Sequence, residues 1–532
     1  MESRGTVPLL FEMSHYPKFV LTMDDLPDGR DGIRQEYIVD WLLGSQGNNM
    51  VYKCLIALHL YTIFLLTPMF SRGIINLVGQ YSNPIALCLA QKGAEPMQRI
   101  LMEKLIKWKD DPRKKPLILQ GVRQCGKTYL LKEFGDLYYQ DVFYCRFDED
   151  KSLAGFFEQN LDPRRIIKDM SVSRNKDIRP QTTLIIFDEV QSCGNALTAL
   201  KYFYEEAPEY HIIAAGSLLG VAVPKGTSFP VGKVEFLTLL PMNFYEFMLA
   251  QNAMLAERMK DEPFADNGWR PFRMLLEEIY HDFMIVGGMP EVVQSWIDTK
   301  SIENVDKIQN QIVRSYENDF AKYAPISCFP KLSAIWNAIP SQLAKENRKF
   351  IFSQVKKSWR AKDLEDALEW LVRSGLVYKV VNIEKPNIPI SAYANHTHFK
   401  LYMCDVGILR RVANMPPSVV VDKSSNYKEF KGAMAENFIC CELKGLYEAD
   451  MYYWTAEGSG RAEVDFVVQD GAHVLPVEVK AGTASRARSL SQYCNKYSPE
   501  KSVLTSMVHD KGNVLPLYAF WKLKDWLRNQ RA

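Results

Sequence analysis

The sequence predicts an α/β chain of several domains. A phosphate-loop, parallel-sheet domain comes first, then a helical region ending in a winged helix, then a C-terminal α/β domain. Three observations carry this reading. A strand, a glycine-bearing loop and a helix follow one another from Lys115, an apolar run at 182–191 ends in two acids, and an acidic hairpin pattern spans 461–482. At 532 residues the chain exceeds one ordinary core, because single cores stop growing beyond roughly 250–300 residues. The expected divisions are an N-terminal extension (1–96), a phosphate-loop domain (97–240), a helical lid and winged-helix region (241–395) and a C-terminal domain (396–532).

Composition excludes several classes. Apolar residues make up 47% and charged residues 24%, ordinary globular usage. A formal net charge of +2 gives no global basic field, so any nucleic-acid contact must come from a local cluster. The ten cysteines form no CxxC pair, which argues against a zinc site or a disulfide framework and for reduced thiols in a cytoplasmic protein. His396 and His398 stand at strand spacing without the Cys or acidic companions of a metal site. The apolar run 54–70 (CLIALHLYTIFLLTPMF) is marginal for a membrane span, which needs ~20 residues, and it contains His59 and Pro68. A buried or amphipathic helix is the favoured reading of that run over a span.

The first element to justify is the loop. KPLILQ reads as a buried strand, and YLLKEFG continues at helical spacing after GVRQCGKT. Gly121-x4-Gly126-Lys127-Thr128 fits the phosphate-loop pattern in the context that pattern requires. Gly121 and Gly126 let the backbone curl, so that the N–H groups of Val122, Arg123, Gln124 and Cys125 face an anion. The helix N-terminus adds partial positive charge. Lys127 can reach β- and γ-phosphates, and the Thr128 hydroxyl can ligate Mg²⁺.

TTLIIFDEVQ, next in order, is apolar enough for a strand covered on both faces. At its carboxyl end Asp188 would hold Mg²⁺ and Glu189 would polarise an attacking water, a role that hydrolysis needs and simple binding does not. HIIAAGS ends in Ser217, which either senses a terminal phosphate or caps the next turn.

Residues 241–330 show helical periodicity. A helix is predicted from Ala361 to Arg373, with Leu364, Ala367, Leu368 and Leu371 on one face, Gly375 closing it and the strand LVYKVVNI after it. Lys356, Lys357, Arg360 and Lys362 precede or open that helix, where a recognition element would meet DNA phosphate; a plain solvated surface is the other reading.

The C-terminal pattern RAEVDFVVQDGAHVLPVEVKAG alternates on both sides of a glycine turn, a hairpin signal. With a turn at Asp470-Gly471, Glu463 lies opposite Glu478, and Glu463, Asp465, Glu478 and Lys480 share one face. That face, three carboxylates and a lysine, is either the wet side of a sheet or a divalent-cation site.

These stretches resemble a known family, the bacterial and archaeal AAA-type ATPases that carry a C-terminal domain of unknown function. The resemblance runs from about Met97 to the C-terminus through RKKPLILQGVRQCGKTYLLKEFG, LIIFDEVQ, AAGSLLG, GGMPEVV, FKLYMCDVGIL, GAMAENFICCEL and the hairpin. It implies ATP as ligand, with Lys127, Thr128, Asp188 and Glu189 in the roles given above and Arg123 and Gln124 inside the loop. Such proteins commonly carry Gly-Arg where this chain has Gly232-Lys233, and lysine lacks arginine's planar fork, so no arginine-finger role passes to Lys233. Glu436, Asp465, Glu478 and Lys480 resemble the PD-(D/E)xK nuclease core, which implies a restriction-endonuclease-like fold for the last domain.

The expectation is therefore an ATPase whose turnover drives its winged-helix and nuclease-like regions. The alternatives are an ATP-regulated, metal-dependent DNA endonuclease and a non-hydrolysing switch that recruits a protein partner.

Overall fold

Short strands alternate with helices along most of the chain, a pattern that yields parallel sheets wrapped by helices. The computed structural model describes residues 97–217, 230–262, 267–345, 348–421, 427–456, 462–483, 486–507 and 514–529, together with two short strands near the N-terminus. The chain divides into two compact units, 1–95 and 96–532. In the first, β1 (Phe19–Thr22) pairs in parallel with β2 (Arg34–Tyr37). The apolar run at 54–70 lies outside the described residues. Among the described residues no helix is long and apolar enough to cross a membrane.

Among the described residues, the second unit contains two sheets. The first holds β3 (Leu117–Gln120), β4 (Asp141–Arg146), β5 (Thr183–Asp188), β6 (His211–Gly216) and β7 (Glu235–Thr238). Its order is β4-β5-β6-β3-β7, and every pairing is parallel. Alternation sends Leu117, Leu119, Leu184, Ile186 and Ile213 to one face, against Leu130, Leu131 and Phe134 of the helix Lys127–Tyr138. Ile118, Ile185, Phe187 and Ile212 go to the other, against Met170 and Phe203 of the helices Pro163–Arg174 and Gly194–Glu206. Strands covered on both sides read as continuous apolar runs, which is why these three were legible.

Among the described residues, the helical periodicity of 241–330 becomes the α-helices Phe244–Gln251, Ala253–Asp261, Arg273–Val286, Pro290–Thr299 and Ile302–Tyr323, and Phe329–Leu343 follows them. The helix Ala361–Arg373 has the expected bounds, with Leu364, Ala367, Leu368 and Leu371 buried. It leads to an antiparallel pair, β8 (Val377–Ile383) and β9 (Ala394–Met403).

That hairpin belongs to a larger sheet. β8 also pairs in parallel with β10 (Tyr452–Thr455), and β11 (Glu463–Asp470), β12 (His473–Val479), β13 (Val503–Ser506) and β14 (Val514–Pro516) complete a mixed seven-stranded sheet, β14-β13-β12-β11-β10-β8-β9. The division expected between 395 and 396 thus falls inside β9. Pairing between strands some seventy residues apart leaves no mark on local periodicity.

The acidic hairpin forms with a different register from the one expected. Asp470 pairs with His473, so the turn is Gly471-Ala472 rather than Asp470-Gly471. Gly471 takes φ +61°, a conformation that glycine adopts without steric cost. Carried one step past Phe466↔Val477, the same register sets Asp465, not Glu463, opposite Glu478. A shift of two residues keeps every side chain on its face, so the acidic face survives and its neighbours change.

Candidate functional site

The turn after β3 is built around two glycines. A Cβ on Gly121 (φ +156°) would lie 2.3 Å from the Leu239 carbonyl oxygen, so no larger residue fits there. Gly126 (φ +94°) caps the helix that starts at Lys127. Lys127 is buried, and its Nζ donates to the carbonyls of Gly121 and Val122 at 2.9 Å each. Thr128 Oγ1 donates to Asp188 Oδ2 at 2.6 Å, which joins the loop to the acidic strand end.

Asp188 is buried at the carboxyl end of β5, and Tyr144 of β4 also donates to its Oδ2, at 2.7 Å. Glu189 sits at φ +50°, uncommon for a residue with a side chain, and accepts a hydrogen bond from Gln191 Nε2. Burial raises the Glu189 carboxyl above its ordinary range, opposed by the Gln191 hydrogen bond and the charge of Lys127. β6 lies between β5 and β3, so Ser217, buried at its end, stands between the acidic and glycine-bearing strands. Ser217 lines a cavity with Gly121 and Val122. The structure thus brings the expected residues together at the carboxyl ends of the parallel strands β3, β5 and β6.

Sequence reasoning missed what holds the loop from outside. Arg123 pairs with Asp319, Tyr316 donates to the Arg123 carbonyl at 3.0 Å, and Ser315 reaches Gln124 Oε1 at 3.4 Å. All three partners lie on the helix Ile302–Tyr323. From the other side the buried Arg99 donates to the Cys125 carbonyl at 2.9 Å and to the Leu240 carbonyl at 2.6 Å. Cys125 itself is fully buried. Lys233 pairs with Glu205 at 2.9 Å.

The second candidate cluster also assembles, but with cations that the sequence did not reveal. Glu436, Asp465 and Glu478 are buried. Arg348 pairs with Glu436 and lies 3.5 Å from Asp465. The wholly buried Lys400 lies 2.5 Å from Glu463 and 4.0 Å from Glu436, and Lys480 lies 2.6 Å from Glu478. Tyr402 donates to Glu436 at 3.0 Å, and the Val479 N–H donates to Asp465 at 2.8 Å. Among the described residues no group of three or more His, Cys, Asp or Glu is arranged to hold a metal ion. Arg348 and Lys400 come from segments with no acidic motif of their own, so no sequence signal marked them.

Lys356, Lys357, Arg360 and Lys362 are all exposed around the start of their helix, and Lys356 lies 4.6 Å over the Trp359 ring. His396 and His398 are exposed on β9.

Residues 113–248 match the family described as an AAA domain. Residues 277–419 and 431–520 match two families described as domains of unknown function. The chain is 20% identical over 427 residues to an uncharacterized protein of Methanocaldococcus jannaschii, covering 76% of this chain and 87% of that one. A Walker-type ATPase of Pyrococcus abyssi aligns with 60% of this chain and 96% of its own at 14% identity, with a TM-score of 0.38. DnaA of Aquifex aeolicus bound to AMPPCP aligns over 53% and 89% at 15% identity and a TM-score of 0.25. Orc1 of Aeropyrum pernix in complex with DNA aligns over 60% and 92% at 12% identity, also with a TM-score of 0.25. Scores of this size carry no weight for function. The stretch 113–248 that matches the AAA domain is the one that holds the five-stranded parallel sheet.

Proposed function

We propose that this chain, whose residues 113–248 form an AAA domain, binds ATP in the loop Gly121–Thr128 and hydrolyses it to drive a conformational change in its C-terminal half. One observation carries the reading: the 2.6 Å hydrogen bond from Thr128 to Asp188, which sets a phosphate loop against a carboxylate with Glu189 beside it. Ser217, buried at the end of the strand between those two, would sense a terminal phosphate in this reading.

The loop's backbone N–H groups and the helix N-terminus receive the phosphates, and Lys127 exchanges its loop carbonyls for β- and γ-phosphate oxygens. Thr128 and Asp188 are hard oxygen donors of the kind that suits Mg²⁺, and they are the residues that would hold it. When bound, that ion supplies positive charge against the phosphate oxygens. Glu189 orients a water and takes its proton as a water–phosphorus bond forms and the β–γ bridging bond breaks, releasing ADP.

In this reading the output lies in the helix Ile302–Tyr323, which grips the loop, and in the seven-stranded sheet. The exposed cations 356, 357, 360 and 362 form the surface offered to DNA phosphate, and a protein partner is the alternative occupant of that output region. Arg348 and Lys400 argue against metal-dependent cleavage at Glu436 and Asp465, because protein cations already pair with those carboxylates.

Measuring ATP binding and turnover side by side tests the proposal. Lys127→Ala should lose binding, whereas Glu189→Gln should keep binding and lose at least a hundredfold in turnover. Unimpaired hydrolysis in Glu189→Gln would sink it.

A further inference from the structure

Asp188 carries a hydrogen bond that the loop itself does not supply. Its Oδ1 accepts from the Glu189 N–H at 3.0 Å, and its Oδ2 accepts from two hydroxyls, those of Thr128 at 2.6 Å and Tyr144 at 2.7 Å. The sheet makes the second contact possible: β4 runs parallel to β5 with Arg146 opposite Asp188, and Tyr144 lies two residues earlier on the same face of β4. Its ring is also held in place, because Lys132 Nζ lies 4.4 Å over it. Lys132 is one turn beyond Thr128 on the same helix, so that helix places both the hydroxyl of Thr128 and the cation that holds Tyr144.

Resting on the ATP reading above, we propose that Tyr144 is a positioning residue for the metal-binding carboxylate. Thr128 can give its proton to Asp188 while its lone pair serves a cation. Tyr144 fixes the same carboxylate from the neighbouring strand, so that Asp188 keeps its orientation whether or not a cation is present. Partners of this kind, which hydrogen-bond a metal ligand without touching the metal, are worth about 10–100-fold in metal affinity or activity.

The test uses the full chain, a fluorescent ATP analogue and Tyr144→Phe, which keeps the ring over Lys132 and removes only the hydroxyl. Affinity for the analogue is measured in EDTA and across a Mg²⁺ titration, with the thermal midpoint as a check on folding. The expected result is an affinity in EDTA within twofold of wild type and about a tenfold rise in the Mg²⁺ concentration that gives half-maximal tightening. A Mg²⁺ requirement within twofold of wild type overturns this inference and leaves the ATP reading intact. Failure of the wild-type chain to bind the analogue in either buffer overturns both. Lys132→Met, which loosens the ring and keeps the hydroxyl, should raise the Mg²⁺ requirement by a smaller factor; no change there assigns the effect to the hydroxyl alone.

Discussion

Glu478 shows how much of the chemistry at single residues depends on neighbours far away in sequence. Burial, and then the charge of Asp465, raises its carboxyl to about 8, against the pull of Lys480. An unfolded glutamate titrates near ~4.3. Between those values the folded chain holds more protons than the unfolded one, so this group's stabilising contribution is complete below about 4.3 and is lost as the pH rises to about 8. Glu478→Gln should therefore flatten the fall in stability between pH 5 and pH 8, which urea midpoints at the two values would show. Arg348 makes the converse case. Replacing it with Met leaves Glu436 and Asp465 without their shared cation, and breaking a buried pair in this way costs about 3 kcal/mol. Restoring near-wild-type midpoints by adding Glu436→Gln and Asp465→Asn would identify lost charge balance, not lost packing, as the cause. Lys127, Thr128, Asp188 and Glu189 were legible because each sits in a contiguous strand–loop pattern. Tyr144, Asp319, Arg348 and Lys400 were not, since each reaches its site from another element and belongs to no motif.

At the scale of elements, the helix Ile302–Tyr323 links the loop to the rest of the second unit. Near its C-terminal end, Ser315, Tyr316 and Asp319 hold Gln124 and Arg123. Toward its N-terminal end, Asp306 and Gln309 hold the buried Arg410, and Asn310 holds Arg411, both on the helix Val406–Val412. Asp405 caps that second helix, accepting from Ile408 N–H at 2.8 Å, and also accepts from Gly288 N–H at 2.6 Å. A displacement of the loop thus has hydrogen-bonded partners through the helix Ile302–Tyr323 as far as the helix Val406–Val412. Hydrogen exchange should show added nucleotide protecting the loop and altering exchange in 406–412. In Asp319→Ala the loop should still respond and 406–412 should respond several-fold less; an undiminished response there would remove this helix as the link. Periodicity announced the helices because it is a property of one segment. Their docking, like the register of β11 on β12, depends on contacts that periodicity does not encode, so the acidic face of the hairpin was legible and its pairing was not.

The whole molecule sets the limit on how the chain can be divided. Residues 96–532 form one compact unit, and within it one continuous apolar cluster runs from Leu105 and Phe134, beside the parallel sheet, through Phe283 and Trp336 to Val380, Tyr453 and Val477 in the mixed sheet. A cut at 395/396 severs β9 between Asn395 and His396 and leaves β8 on the far side of the break from β10, with which it pairs. A fragment 396–532 would then leave the edges of β10 and of the remaining part of β9 without β8, the strand that pairs with both, the kind of unpaired edge that aggregates. The fragment 96–532 keeps both sheets and the helices between them. It should fold and unfold in one cooperative transition, whereas 396–532 alone should be insoluble or lack a cooperative transition. Thermal melts followed by circular dichroism and tryptophan fluorescence decide this, since Trp336 and Trp454 report from opposite sides of the cut. Coincident transitions in 96–532 are the expected outcome. A soluble, cooperatively melting 396–532 would show that the mixed sheet does not need β8 and would restore the domain division that local patterns predict.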